Sequence, residues 1–199
     1  MNRTIVLITG CPGCGKTSFA ARILKRYPTF VLSSYDKTKE EYFDRFGFDT
    51  LQERAELNKR SWLAYYSELD QLMQSGSPIL TDYPFNNLVH EKDLNDIIAK
   101  NGYKALSITL DGDAETLRQR GYRRDMNDEN RNFGHLLTRY HKGNFSESDR
   151  IPTMTLEEFI QTNQKKDYNL RVGKNIRIDV TDLDNIDYET AFSEIEKLF

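Results

Sequence analysis

Apolar residues follow two rhythms along this chain. The first is the unbroken run. Thr4 to Thr9 reads Thr-Ile-Val-Leu-Ile-Thr, which suits a strand covered on both faces of a parallel sheet. Shorter runs predict strands two to five: Phe30-Val31-Leu32, Ile79-Leu80-Thr81, Ala105 to Leu110 and Ile176 to Val180. The second rhythm is helical. Phe19, Ile23 and Leu24 share one face. Leu51, Ala55, Trp62, Tyr66, Leu69 and Met73 form one stripe, which predicts a long helix over 51–73, ended by Gly76 and Pro78. Further helices are expected near Lys37, over Leu88–Lys100 with Gly102 closing it, from near Asp113, over Phe133–Lys142 and over Tyr188–Leu198. Thr155-Leu-Glu-Glu158 fits a capping box for a short helix to about Lys166. The polar stretches 125–132 and 143–153 read as exposed. Strand and helix alternate, which argues for an α/β domain with a parallel sheet between helical layers.

Composition narrows the class. With 199 residues, 38% apolar and 30% charged, the chain suits one globular domain with a core of its own. A net charge of -3 supplies no overall positive field for nucleic acid or anionic lipid. The apolar start is too short for a leader or a membrane span, and no later run approaches span length. A cytoplasmic protein without membrane contact is expected. Both cysteines, Cys11 and Cys14, sit in one glycine-rich loop, so no disulfide framework is available.

That loop carries the strongest chemical signal. Gly10-Cys11-Pro12-Gly13-Cys14-Gly15-Lys16-Thr17 fits G-x-x-x-x-G-K-[ST] without a mismatch, after a strand and before a helix. Glycines let the backbone curl so that successive N–H groups face phosphate oxygens. The helix that follows, through Ser18, adds its positive end. Lys16 is placed to reach the β- and γ-phosphates of ATP or GTP, and the Thr17 hydroxyl to ligate Mg²⁺. A zinc or redox reading of the Cys11-x-x-Cys14 spacing lacks a second ligand pair.

In an open parallel sheet, ligands bind at the carboxyl ends of the strands. Asp36 follows strand two, 20 residues beyond Lys16. A carboxylate there can take the proton of a hydroxyl that attacks the γ-phosphate; it can also cap the helix that follows. Lys39 suits an anionic substrate or a solvated helix face. Asp82 follows strand three, where Mg²⁺ and its waters are held. Arg118, Arg120, Arg123 and Arg124 crowd the helix after strand four. Arginine forks stabilise charge on a transferring phosphoryl group. Arg120 and Arg124 share a face at i, i+4, with Arg131 and Arg139 as further candidates. The polar stretch beyond them suits a lid over 120–150. Trp62, Tyr65 and Tyr66, with Arg54, Lys59 and Arg60, lie on the long helix, either in the core or lining an acceptor pocket.

The glycine loop, Asp36, Asp82 and Arg120-x-x-x-Arg124 together resemble the small P-loop kinases. Polynucleotide 5′-kinases, chloramphenicol phosphotransferase and zeta-toxin-type kinases are the most similar, over residues 3–140. The resemblance implies a three-layer α/β/α P-loop NTPase fold with strand order 2-3-1-4-5 and a lid after strand four. It implies Asp36 as general base, Arg120 and Arg124 as lid arginines, the first packing on adenine, and Val180-Thr181-Asp182 bordering the base. Polynucleotide kinases often carry arginine where this chain has Lys39. The expected function is ATP- and Mg²⁺-dependent phosphorylation of a small-molecule hydroxyl. A nucleic-acid 5′ end is the alternative acceptor, and a nucleotide switch acting on a partner is the second alternative. Gln164-Lys-Lys-Asp167 approaches a guanine-reading N-K-x-D but lacks the asparagine. The acceptor and the oligomeric state are not legible.

Overall fold

A computed structural model describes residues 3–85, 87–128 and 131–199. Positions 129 and 130 of the polar stretch expected over 125–132 lie outside the described residues. Five strands form one parallel sheet in the order β2-β3-β1-β4-β5. They are β1 (Thr4–Thr9), β2 (Val31–Ser33), β3 (Ile79–Asp82), β4 (Lys104–Asp111) and β5 (Lys174–Asp179). The helices are α1 (Lys16–Arg26), α2 (Tyr35–Phe46), α3 (Leu51–Gln74), α4 (Asn87–Asn101), α5 (Ala114–Asn127), α6 (Leu156–Lys166) and α7 (Tyr188–Glu196). The expected α/β/α fold and strand order are the observed ones.

The unbroken apolar run of β1 has a direct cause. Side chains alternate across a strand, and both faces of β1 are covered. Val6 and Ile8 pack with α1, α7 and Leu117 of α5. Ile5 and Leu7 pack on the opposite face with Tyr65, Leu69 and Met73 of α3 and Leu94 and Ile98 of α4. Each fully buried side chain of this size contributes roughly 1.5–3 kcal/mol. The centre of the sheet is therefore rigid where it feeds the glycine loop.

Local signals set several element ends. The Thr155 hydroxyl accepts from the Glu158 N–H while the Glu158 carboxylate accepts from the Thr155 N–H, completing the capping box of α6. Asp113 caps α5 through the Thr116 N–H at 2.8 Å. Thr50 caps α3 through Glu53. The helix expected near Lys37 begins two residues earlier, at Tyr35, with Ser34 at its N-cap position. Asp36 therefore lies inside the first turn and is not the cap.

The helix expected over Phe133–Lys142 is not formed. Residues Phe133–His135 make one 3-10 turn, and the chain then runs irregularly. Phe133, Leu136, Leu137 and Tyr140 have helical spacing but are placed by tertiary contact instead. Phe48 and Tyr140 exchange two backbone hydrogen bonds of 2.8 Å. Leu137 bridges to Arg150, and Ile151 N–H reaches Leu136 O at 2.8 Å. Phe133, Leu137 and Tyr140 thereby join Phe43, Phe48 and Leu57 in a satellite core. A Cβ on Gly134 would lie 2.6 Å from the Phe43 ring. Segment 131–153 is thus docked on α2 and α3.

Candidate active site

The site lies at the carboxyl ends of β1, β2 and β3. Sequence dictates its first half through backbone geometry. Gly10, Gly13 and Gly15 all have positive φ, at 137°, 89° and 85°, a region L side chains rarely enter. Two of the three are also walled in. A Cβ on Gly10 would lie 2.3 Å from Leu110 O, and one on Gly13 would lie 2.1 Å from Leu117 O. The loop rests backbone to backbone on α5 at Gly13 and Gly121, the latter a contact no sequence motif announces. At Gly15, by contrast, a Cβ would meet nothing within 4 Å. The mouth of the loop is open there.

Gly15 is also the N-cap residue of α1, with no side-chain cap and no acidic residue in the first turn. The first amides of α1, from Lys16 through Ser18, thus form an uncapped positive helix end, which favours an anion. Lys16 Nζ donates to the carbonyls of Gly10 and Cys11 at 3.0 Å each and stands 3.6 Å from Cys14 Sγ. Its ammonium therefore hangs over the curl. Cys11 and Cys14 are buried among apolar neighbours. Burial, then the neighbouring Cys14, pushes the Cys11 thiol up to about 12, so it stays protonated. Pro12 is exposed on the outer side of the loop.

Thr17 Oγ1 donates to Asp82 Oδ2 at 2.9 Å. The P-loop hydroxyl and the carboxylate after β3, read separately from sequence, therefore meet. Among the described residues no cluster of three or more His, Cys, Asp or Glu side chains fits a metal ion. A magnesium site built only of Thr17 and Asp82 suits that ion, which keeps most of its ligands as water and phosphate oxygen. The donor set therefore fits Mg²⁺ bound with a nucleotide. Burial raises the Asp82 pKa, with Asp36 adding to it against the Thr17 hydrogen bond and Lys16.

Asp36 faces this half from α2. Burial pushes its pKa up, but Lys39 first, then His135 and Lys16, outweigh it and hold it below the ordinary value. Lys39 Nζ bonds Asp36 Oδ1 at 2.8 Å, and the Asp36 side chain is 41% exposed. Its carboxylate is thus ionised, open on one side and within electrostatic reach of Lys16. Lys39 itself is buried, 5.1 Å from the Tyr83 ring centre and 5.4 Å from that of Tyr35. Burial lowers its pKa, against Asp36, with Arg131 and Arg54 pressing the same way.

Sequence reasoning left the rest of this wall unassigned. His135 Nε2 bonds Glu40 Oε1 at 2.6 Å. Burial, with Lys39 and Arg131 beside it, nonetheless lowers His135 to about 4. The imidazole is therefore neutral and donates its Nε2–H. Arg54 Nη2 donates to His135 O at 2.9 Å. Only the docking of segment 131–153 onto α2 and α3 brings these residues together. Behind them, Tyr35 stacks on Trp62 at 3.6 Å, and His90 stands 3.9 Å from Trp62. Tyr65 is fully buried and Tyr66 OH bonds His90 Nδ1 at 3.1 Å. These aromatics pack the core under α3.

The arginines after β4 disperse. Arg118 pairs with Glu115 at 2.8 Å. Arg120 donates to the carbonyls of Val180 and Thr181 at 2.5 and 2.6 Å, joining two regions that the family resemblance puts beside the nucleotide base. Arg124 pairs with Asp125 at 2.7 Å, and Arg131 shares that carboxylate at 3.2 Å. Arg123 is exposed, and Arg139 lies 3.6 Å from Asp149. No helix among the described residues is long and apolar enough to cross a membrane.

Comparison with known proteins adds to this geometry. A family profile described as an AAA domain matches residues 5–138. No curated protein matches the sequence. Among solved structures, a protein from Chloroflexus aurantiacus provisionally described as a kinase superposes with a TM-score of 0.72 at 18% identity, covering 98% of this chain and 95% of that one. A gluconokinase from Sinorhizobium meliloti superposes with a TM-score of 0.51 at 11% identity, over 91% and 85%. A sugar kinase from Janibacter gives 0.50 at 15% identity, over 89% and 85%. At these identities the likeness is one of fold.

Proposed function

Since the chain belongs to this AAA-domain family, we propose that it is an ATP- and Mg²⁺-dependent kinase acting on a hydroxyl of a small molecule. The whole chain is then one kinase domain. The observation that carries the reading is the placement of Asp36: an ionised carboxylate in the first turn of α2, facing the ammonium of Lys16.

The chemistry divides among the residues as follows. Backbone N–H groups of the loop from Gly10 to Gly15, Cys11 and Cys14 among them, and of the α1 start through Ser18 bind the phosphate tail, while Pro12, which has no N–H, shapes the loop. Lys16 leaves the Gly10 and Cys11 carbonyls for the β- and γ-phosphate oxygens. Thr17 and Asp82 would hold Mg²⁺, which would neutralise phosphate charge there. Asp36 accepts the proton of the acceptor hydroxyl as its oxygen bonds the γ-phosphorus. The bond from that phosphorus to the β,γ-bridging oxygen breaks, and ADP departs. A carboxylate held below its ordinary pKa is a weak base. It suffices here because phosphoryl transfer proceeds through a loose transition state that needs the hydroxyl oriented more than deprotonated. Arg120 shapes the base side beside Val180 and Thr181. Arg124, once released from Asp125, would meet charge on the transferring group.

The test separates binding from transfer. Asp36→Asn should bind Mg-ATP with the parent's affinity by calorimetry and lose about 10²–10⁴-fold in transfer rate. Equal transfer by variant and parent would remove Asp36 from the mechanism. Failure of the parent to bind any purine triphosphate would remove the kinase reading.

A further inference from the structure

The helix after the glycine loop carries a second charged surface, turned away from Asp36. Arg22, Lys25 and Arg26 follow one another at i, i+3 and i+4 on α1, so they share one side of it. They meet Tyr188, Glu189 and Phe192 of α7 across a recess of about 410 Å³. Helices α1 and α7 cover one face of the sheet, whereas α3 and α4 cover the other. Helix α2, which carries Asp36, packs on α3. The recess is therefore separate from the candidate active site, and no residue assigned to that site lines it.

Its three cations are not equally engaged. Arg26 meets Glu189 and Glu196 at 3.2 Å each, and Glu196 also accepts from the Tyr27 hydroxyl at 2.9 Å. Asp187, beside Tyr188, is taken up by the N–H and the hydroxyl of Thr190. Arg22 and Lys25 have no such partner. Among the described residues neither makes an ion pair or a side-chain hydrogen bond, and both are exposed to solvent. The Arg22 guanidinium is laid over the Tyr188 ring, 4.6 Å from its centre, which fixes its place and leaves its N–H edge unused. Tyr188 is in turn stacked on Phe19 at 5.3 Å. Its hydroxyl makes no hydrogen bond among the described residues and is not sealed from solvent. One fork, one ammonium and one phenol thus line the recess with donors that the fold leaves free.

We propose that this recess binds the terminal phosphate of a small molecule. A fork, an ammonium and a hydroxyl match the three outer oxygens of a phosphate group better than the two of a carboxylate. Two helices wall the recess, and the carboxylates of Asp187, Glu189 and Glu196 surround its two free cations. That rim repels an extended polyanion or an anionic membrane while it admits a single phosphate. Arg22 lies six residues beyond Lys16 on the same helix, so an occupant bears on the helix whose first amides face the glycine loop. The inference does not depend on the kinase reading.

The experiment follows the ring signals of Tyr188 and Phe192 by NMR in the full chain, at about 0.15 M salt, where loose attraction of counter-ions is largely screened. Inorganic phosphate, pyrophosphate and glucose 6-phosphate are the probes, with glucose and glucuronate as the neutral and carboxylate controls. The phosphates should give saturable shifts, and the two controls should give weaker ones or none. Arg22→Gln and Lys25→Gln should each weaken binding about tenfold, the loss of one charge-assisted contact. Glu189→Gln frees Arg26 for the ligand and should tighten binding several-fold, a gain that no unfolding could mimic. Lys16→Met should leave the titration as it is, which separates the recess from phosphate held on the glycine loop. No saturable shift below about 10 mM, or equal affinity in all the recess variants, would overturn the inference. So would glucuronate matching glucose 6-phosphate, or tighter binding of a 5′-phosphorylated oligonucleotide or of phosphatidylglycerol vesicles than of the small phosphates.

Discussion

The glycine-loop half and the Asp36 half of the candidate site are built by different means. The first is backbone: three glycines at positive φ, the uncapped start of α1 and one hydroxyl–carboxylate contact. The second is side chains held by distant packing: Asp36 and Lys39 on α2, Arg54 on α3 and His135 from beyond α5. Backbone geometry follows from residues within a few positions of one another. The Asp36 wall exists only after residues some eighty positions apart have docked. One half thus takes its shape from glycine backbone braced by β3, β4 and α5, whereas the other depends on the satellite core of Phe43, Phe48, Leu57, Leu137 and Tyr140.

That contrast can be broken at its weakest joint. Phe48 is 1% exposed at the centre of the satellite core. Phe48→Ala should cost about 3–5 kcal/mol in chemical denaturation. Hydrogen exchange should rise first in segment 131–153, with the β1 amides still protected. Uniform loss of protection would show that the two halves fold as one unit.

The loop side should respond to a single carbon. Gly13→Ala meets Leu117 O and a strained φ, and should cost about 1–3 kcal/mol together with Mg-ATP affinity. Gly15→Ala shares the strain, but its new carbon meets open space, so its melting temperature should fall less. Identical losses would mean that contact with α5 does not matter.

Acid should act through buried imidazoles. His135 and His90 are both lowered to about 4 by burial, with Glu40 opposing in the first case. Below about 6.5 the unfolded chain binds protons that the native one refuses. Stability should therefore fall between pH 6.5 and 4, by up to about 1.4 kcal/mol per pH unit for each histidine. His135→Asn should flatten the slope by about half, read as urea midpoints across that range. An unchanged slope would mean that His135 is charged in the native state.

The smallest effect concerns one hydroxyl. Tyr140 OH donates to Asp44 Oδ1 at 2.7 Å, on the outside of the docked segment. Tyr140→Phe should cost about 1 kcal/mol and leave Mg-ATP binding untouched by calorimetry. A change in nucleotide affinity would erase the separation between the halves.

Legibility in the sequence follows the same divide. The β1 run, the glycine loop, the α3 stripe and the Thr155 capping box are signals carried by near neighbours, and the structure forms each element where expected. The Phe133–Lys142 stretch misled because Phe133, Leu136, Leu137 and Tyr140 have the spacing of a helix face. Their burial is supplied by strand-like bridges to Phe48 and Arg150. Arg54 was one of three basic residues on a long helix, and nothing in its neighbours marks it. Its setting is created by a carbonyl and rings from other parts of the chain. Such settings have no local signature to read.

The two rims of the sheet bear on how the protein behaves in a crowd. β2 has only three residues, so an intruding strand finds few rungs to climb even though Val31 and Leu32 are exposed. β5 is longer, but ionic pairs stud its outer reach: Lys174 with Glu194, Arg177 with Asp111. Brevity at one margin and charge at the other discourage edge-to-edge stacking, leaving this sheet a poor template for aggregation.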